Sequence, residues 1–291
     1  MTNMFTKLVT KTLFKNNSLK NEMRKINTTK LIDMTNKKFG IPQNIKEDKE
    51  ITLYVKGFLT NDTNKTAYAN WKYSHDIIVN KKNWSPNCVG YYWNAGEVSY
   101  VPSTPILLSA MEFYKYGRLA FNKIPYLFAV TSVAESVIMS YTLYKLYKKI
   151  EFDLDFYSEQ LKKDIIKLHS EHSNIRIVSH SLGCKLVLNA LSKVPKKYFP
   201  KELHMCAPTF VEEDYKNELN LISKNNSNLN IYHSESDIVL GYFYYLLKQK
   251  EAVGNIGLLS KYQNITCHEV TDYLGINIHN SYAKNFHKFI K

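Results

Sequence analysis

The stretch Ile175-Arg176-Ile177-Val178-Ser179-His180-Ser181-Leu182-Gly183-Cys184 decides how this chain is read. An apolar, β-branched run ends in a small residue and is followed by His, Ser, Leu and Gly. Lys185-Leu186-Val187-Leu188-Asn189-Ala190-Leu191 then spaces its apolar residues as a helix does. The expected unit is a strand, a very tight turn and a helix. It has the form of a nucleophile elbow, with Ser179 where the motif's first glycine usually stands. The demand is steric. The turn forces Ser181 into a strained backbone conformation, so the residues two before and two after it must be small. Ser179 and Gly183 meet that demand. The strain would lift the Ser181 hydroxyl clear of the sheet. The first N–H groups of the helix, that of Leu182 foremost, would aim at the same point and hold a developing oxyanion. Serines before helices are also common N-caps, so the motif alone leaves a capped core helix as an equal reading. An acid and a histidine further along must break the tie.

Outward from the elbow, Ile51-Thr52-Leu53-Tyr54-Val55 reads as a strand and runs into Lys56-Gly57-Phe58-Leu59. A glycine directly after a central strand lets the backbone turn sharply, and the N–H of Phe58 or Leu59 is a candidate second oxyanion donor. Further strands are expected at Cys88–Trp93, Glu202–Pro208, Leu229–His233 and Asn264–Val270. Helices are expected over 106–122, from Pro125 to Tyr147 and from Asp155 to His169, with a loop over 94–104. Strands alternating with helices imply an α/β fold with a mostly parallel central sheet and helices on both faces. The 125–147 helix is the most apolar, yet it carries Glu135 near its centre and several Ser and Thr residues. A charge at bilayer depth is costly, so a buried helix or a lid over the site is preferred to a membrane span.

In such sheets the reactive groups sit on loops beyond the carboxyl ends of the strands. After Tyr232-His233 comes Ser234-Glu235-Ser236-Asp237. After Val270 come Asp272 and then Gly275-Ile276-Asn277-Ile278-His279, opening the last helix. The chain order Ser181, Asp237, His279 is serine, acid, histidine. Ser181 is a poor nucleophile until a base takes its proton, and an imidazole needs a carboxylate on its other nitrogen to hold the tautomer. Asp237 is the first choice of acid on loop position, with Asp272 and Glu235 as rivals. His279 competes with His268 inside a strand, His287 deep in the last helix, and His180. The strand direction turns the His180 side chain away from Ser181.

The 291 residues suit one large domain, with 44% hydrophobic content giving ample core. Residues 1–48 read as an N-terminal extension, partly disordered or surface-packed, and 49–291 as the folded domain. The net charge is +13. The lysines are spread along the chain with no nucleic-acid motif, so nucleic acid is not the expected partner. An anionic membrane surface could attract the charge peripherally. The four cysteines, Cys88, Cys184, Cys206 and Cys267, form no Cys-x-x-Cys pair and read as reduced, buried residues of an intracellular protein. No signal-peptide core is apparent at the N-terminus; the basic, Thr-rich start at Thr6–Lys15 reads as a solvated tail, with an organelle-targeting or membrane-surface segment as the rival reading.

The quoted pieces together resemble a family. Gly57-Phe58-Leu59, Tyr91-Tyr92-Trp93, Ser179-His180-Ser181-Leu182-Gly183, Ala207-Pro208-Thr209, the run from Tyr232 to Tyr242, Asp272 and His279 are similar to an α/β-hydrolase family of unknown function. That family includes transmembrane-and-coiled-coil-domain-containing proteins and fungal lipase-like proteins. The most specific match is Asp237-Ile238-Val239-Leu240-Gly241. The resemblance implies an α/β-hydrolase fold from about Ile51 onward, with a helical insertion or lid at about 94–150. It also implies a lipase or esterase activity on an ester or lipid substrate. Ser181 would be nucleophile, Asp237 acid and His279 base, with no metal or organic cofactor. Ser179 in place of glycine, and the lack of a clear membrane-spanning hairpin, depart from the pattern.

Overall fold

A computed structural model of the chain describes residues 29–35, 50–58, 68–95, 126–275 and 278–291. The basic start, residues 96–125 of the expected insertion with the 106–122 helix, and Leu59 lie outside the described residues.

The elements run in this order: β1 (Lys30–Asp33), β2 (Glu50–Val55), α1 (Ala69–Lys82), β3 (Cys88–Tyr92), α2 (Tyr126–Glu171), β4 (Asn174–His180), α3 (Leu182–Leu191), β5 (Glu202–Cys206), α4 (Lys216–Lys224), β6 (Asn228–His233), α5 (Tyr245–Lys248), α6 (Val253–Ile256), β7 (Ile265–Glu269), α7 (Thr271–Leu274) and α8 (Ile278–Phe289). A π-helical run, Val239–Tyr244, precedes α5. The strands form one sheet in the order β1-β3-β2-β4-β5-β6-β7. Every pairing is parallel except that of β1 with β3. This is the mostly parallel α/β sheet that the alternation of strands and helices predicts.

The centre of the sheet explains its own sequence. Ile175, Ile177, Val178 and Ser179 of β4 are all buried. A strand covered on both faces reads as a continuous apolar run rather than an alternating one. At the amino end of the sheet Arg176 ties three strands together. Its guanidinium donates to Glu50 of β2 and to Glu202 of β5, and it lies 3.7 Å over the ring of Trp84. The carboxyl ends are thus left for other uses.

Two expectations need correction. The helices expected at 125–147 and 155–169 are one continuous helix, α2. Residues 126–171 contain neither Pro nor Gly, so nothing in the stretch between the two expected helices interrupts the backbone hydrogen bonds. Part of the expected N-terminal extension is also sheet: Lys30–Asp33 pairs antiparallel with β3, Leu31 opposite Tyr91. Four residues, framed by Thr29 and Met34, carry too little pattern to show an edge strand. Among the described residues no helix is long and apolar enough to cross a membrane.

Candidate active site

The elbow sits where β4 meets α3. Ser181 has φ 54° and ψ −126°, a region that side chains other than glycine seldom adopt. The backbone around it holds the strain. Its N–H donates to the Cys206 carbonyl at 2.9 Å, and its own carbonyl accepts from the Cys184 N–H at 3.0 Å. Close approach fixes the small neighbours. A β-carbon on Gly183 would fall 2.5 Å from the Lys56 carbonyl oxygen and 2.7 Å from that of Val55. Helix α3 can therefore start against the end of β2 only with glycine there. Ser179 is tolerated at the other small position because its hydroxyl donates to the His204 carbonyl at 3.3 Å.

The loop after β2 closes over this turn. Gly57 lies against Ser181 and Leu182. Leu182 opens α3, and its N–H has no acceptor within the helix. The Phe58 ring stands edge-on to Tyr147 of α2 at 5.7 Å.

Asp237 follows β6 and is fully buried as a side chain. One carboxylate oxygen accepts from the Leu240 N–H at 3.2 Å. The other accepts from His279 Nδ1 at 2.8 Å. The loop is held from behind: the Asn255 amide donates to the carbonyls of Ser234 and Glu235 at 3.0 and 3.1 Å. His279, in the first turn of α8, places Nε2 3.1 Å from Ser181 Oγ. A carboxylate only accepts, so Nδ1 carries the proton and Nε2 is free to accept from the serine hydroxyl. The structure brings Ser181, His279 and Asp237 into one hydrogen-bonded line, all beyond the carboxyl ends of parallel strands.

The rivals fall elsewhere. Asp272 and Glu235 are exposed. His268 pairs with Asn230 across the sheet at 3.0 Å, and His287 approaches Ser74 of α1 at 3.2 Å. His180 does point away from Ser181, but into the helix that carries His279: its Nε2 lies 2.8 Å from the His279 carbonyl oxygen. Sequence reasoning discarded it as a base and assigned it nothing else; its place directly before the nucleophile was the only signal. Burial, with the neighbouring His279, pushes its imidazole down to about 3, so it stays neutral.

A second cluster flanks the elbow helix. Glu151 of α2 accepts from Lys185 of α3 at 2.5 Å and from Lys248 of α5 at 2.6 Å. Burial pushes the Glu151 carboxyl up, but the two ammonium groups outweigh it and hold it down at about 2. Cys88, Cys184 and Cys206 are buried and Cys267 is half-buried, all as free thiols. Among the described residues no group of three His, Cys, Asp or Glu side chains could hold a metal ion.

A family model described as "Alpha/beta hydrolase of unknown function (DUF900)" matches residues 33–277. No curated protein matches the chain significantly. Among solved structures, a lipase-esterase related protein from Clostridium acetobutylicum is similar at a TM-score of 0.38 and 11% identity, over 89% of this chain and 97% of that one.

Proposed function

The chain belongs to this α/β-hydrolase family of unknown function, and on that premise we propose that it is a serine hydrolase that cleaves a carboxylic ester, with lipid esters as the substrate class. The observation that carries the proposal is the line from Ser181 Oγ to His279 Nε2 at 3.1 Å and from His279 Nδ1 to Asp237 at 2.8 Å. As His279 takes its proton, Ser181 Oγ adds to the ester carbonyl. Asp237 stabilises the imidazolium and keeps its orientation. The N–H groups of Leu182 and Phe58 receive the oxyanion. Collapse of the tetrahedral adduct breaks the ester C–O bond, and His279 returns its proton to the departing alcohol. Water, activated by His279 in the same way, then releases the acid from Ser181.

The lipid part of the proposal rests on the surface beside the acid. Ile238 and Val239, directly after Asp237, are 46% and 41% exposed, and Tyr245, further along the same stretch, is 44% exposed. Apolar side chains there, on a chain of net charge +13, suit peripheral contact with an anionic lipid surface.

Two measurements test the proposal. A fluorophosphonate probe should label the wild-type protein and not Ser181→Ala. p-Nitrophenyl esters of graded chain length should be hydrolysed by the wild type and not by Ser181→Ala or His279→Ala. Folded wild-type protein that neither labels nor turns over any ester would make the chain an idle hydrolase fold, one that serves by binding a membrane or a partner.

A further inference from the structure

Ser181 and His279 are 98 residues apart in the chain and meet at a single contact. Some feature must hold the first turn of α8 to the end of β4 closely enough for that contact to persist. His180 spans the gap. It is the last residue of β4, immediately before Ser181. A carbonyl oxygen only accepts, so the 2.8 Å contact with His279 O is an Nε2–H donation from His180. Its ring lies 5.0 Å from that of His279, 5.9 Å from Tyr282 of α8 and 6.3 Å from Trp71 of α1. It is therefore clasped between the strand of the nucleophile and the helix of the base.

We propose that His180 is a positioning residue for the reaction: by donating to the main-chain carbonyl of His279 it locks the base's helical turn to the nucleophile's strand and keeps His279 Nε2 in line with Ser181 Oγ. The inference rests on the assignment of Ser181, His279 and Asp237 as the reacting line. The main-chain carbonyl is a better anchor than the side chain, because a hold on the imidazole would compete with Asp237 and Ser181 for its two nitrogens. Neutrality matters for the same reason. The charged or titratable groups facing His180 are His279 and Lys56, with the Tyr282 phenol ring beside them. A charged His180 5.0 Å from His279 would oppose proton uptake by the base. Burial keeps His180 a donor that takes no part in the proton transfer.

The test compares His180→Phe with His180→Gln. Phenylalanine keeps the ring contacts and removes the donor; glutamine keeps an N–H at similar reach. Both are measured for melting temperature, for kcat and KM on p-nitrophenyl butyrate, and for the low-field proton resonance of His279 Nδ1–H bound to Asp237. In His180→Phe, kcat should fall about a hundredfold with KM within about twofold, as for a reacting group displaced by a fraction of an ångström. Its low-field resonance should broaden through exchange with water, and His180→Gln should recover most of both. The proposal is overturned if His180→Phe keeps the wild-type kcat and resonance, or if glutamine fails as badly as phenylalanine. If His180→Phe does not fold, His180→Met against His180→Gln makes the same comparison, since both are unbranched and only one donates. Should the wild type hydrolyse no ester, the hydrolase assignment falls, while the resonance still reports whether His180 holds His279 in place.

Discussion

Gly57 and Ser181 meet with no room between them: a β-carbon on residue 57 would lie 2.6 Å from the Ser181 β-carbon and 2.8 Å from the His180 carbonyl oxygen. The loop after β2 is thereby closed onto the elbow. Gly57→Ala is expected to push this loop outward. kcat on a short ester should fall about a hundredfold, with melting temperature lowered by the overpacking. Steady-state kinetics and a thermal melt check this, and an unchanged kcat would take Phe58 out of the oxyanion site.

Asp237 and Asp272 make a controlled pair. Asp237 is buried against His279, and Asp272 is exposed on α7. Asp237→Asn keeps the shape but offers an amide that favours the wrong imidazole tautomer. kcat should drop by roughly three to four orders of magnitude with little loss of stability. Asp272→Asn should leave kcat unchanged. Loss of activity in Asp272→Asn instead would reassign the acid.

At Gly183 the expected effect is on folding first. Its absent β-carbon would meet only backbone, the carbonyl oxygens of Lys56 and Val55, which cannot swing aside as a side chain can. Gly183→Ala should cost about 1–3 kcal/mol in urea unfolding and remove fluorophosphonate labelling. Full stability and labelling would mean that the elbow can open without penalty.

Acid should destabilise the protein in two windows. Burial holds His75 at about 4 and His180 at about 3, below the ordinary 6.5, so both are neutral when folded but take up protons when unfolded. Their contribution is present above pH 6.5 and is lost as pH falls from there toward 3 to 4. Glu151 is held at about 2 against an ordinary 4.5, so its contribution is present above pH 4.5 and is lost as pH falls toward 2. Urea midpoints from pH 7 to 3 should decline throughout. In Glu151→Gln the decline below 4.5 should be shallower, and at pH 7 the variant should be less stable by about 2 kcal/mol, between an exposed and a fully buried pair. A variant with the wild-type slope below pH 4.5 would remove Glu151 from the acid response.

Much of the sheet was legible because its strands are runs of local character. β2, β4 and β6 appear within a residue of where their apolar runs place them. What escaped were features whose cause lies in a neighbour. β1 exists because β3 offers it an edge, and nothing within Lys-Leu-Ile-Asp announces that. The continuity of α2 escaped for a different reason: the expected helices stop at Tyr147 and restart at Asp155, although no Pro or Gly between them supplies an end.

The sequence alone determined the elbow, since strain at Ser181 requires small residues at fixed short spacing and leaves them visible as a motif. It also determined the order of serine, acid and histidine, because that order is a property of the chain. Only the tertiary structure decided that Asp237, 42 residues from His279, and not Asp272 is its partner. The same holds for the anchoring of His180 to the carbonyl of His279 rather than to the nucleophile. Such contacts depend on the lateral order of β4, β5, β6 and β7 and on where α8 packs. These are long-range consequences of burying both faces of the sheet, and no local run of residues encodes them.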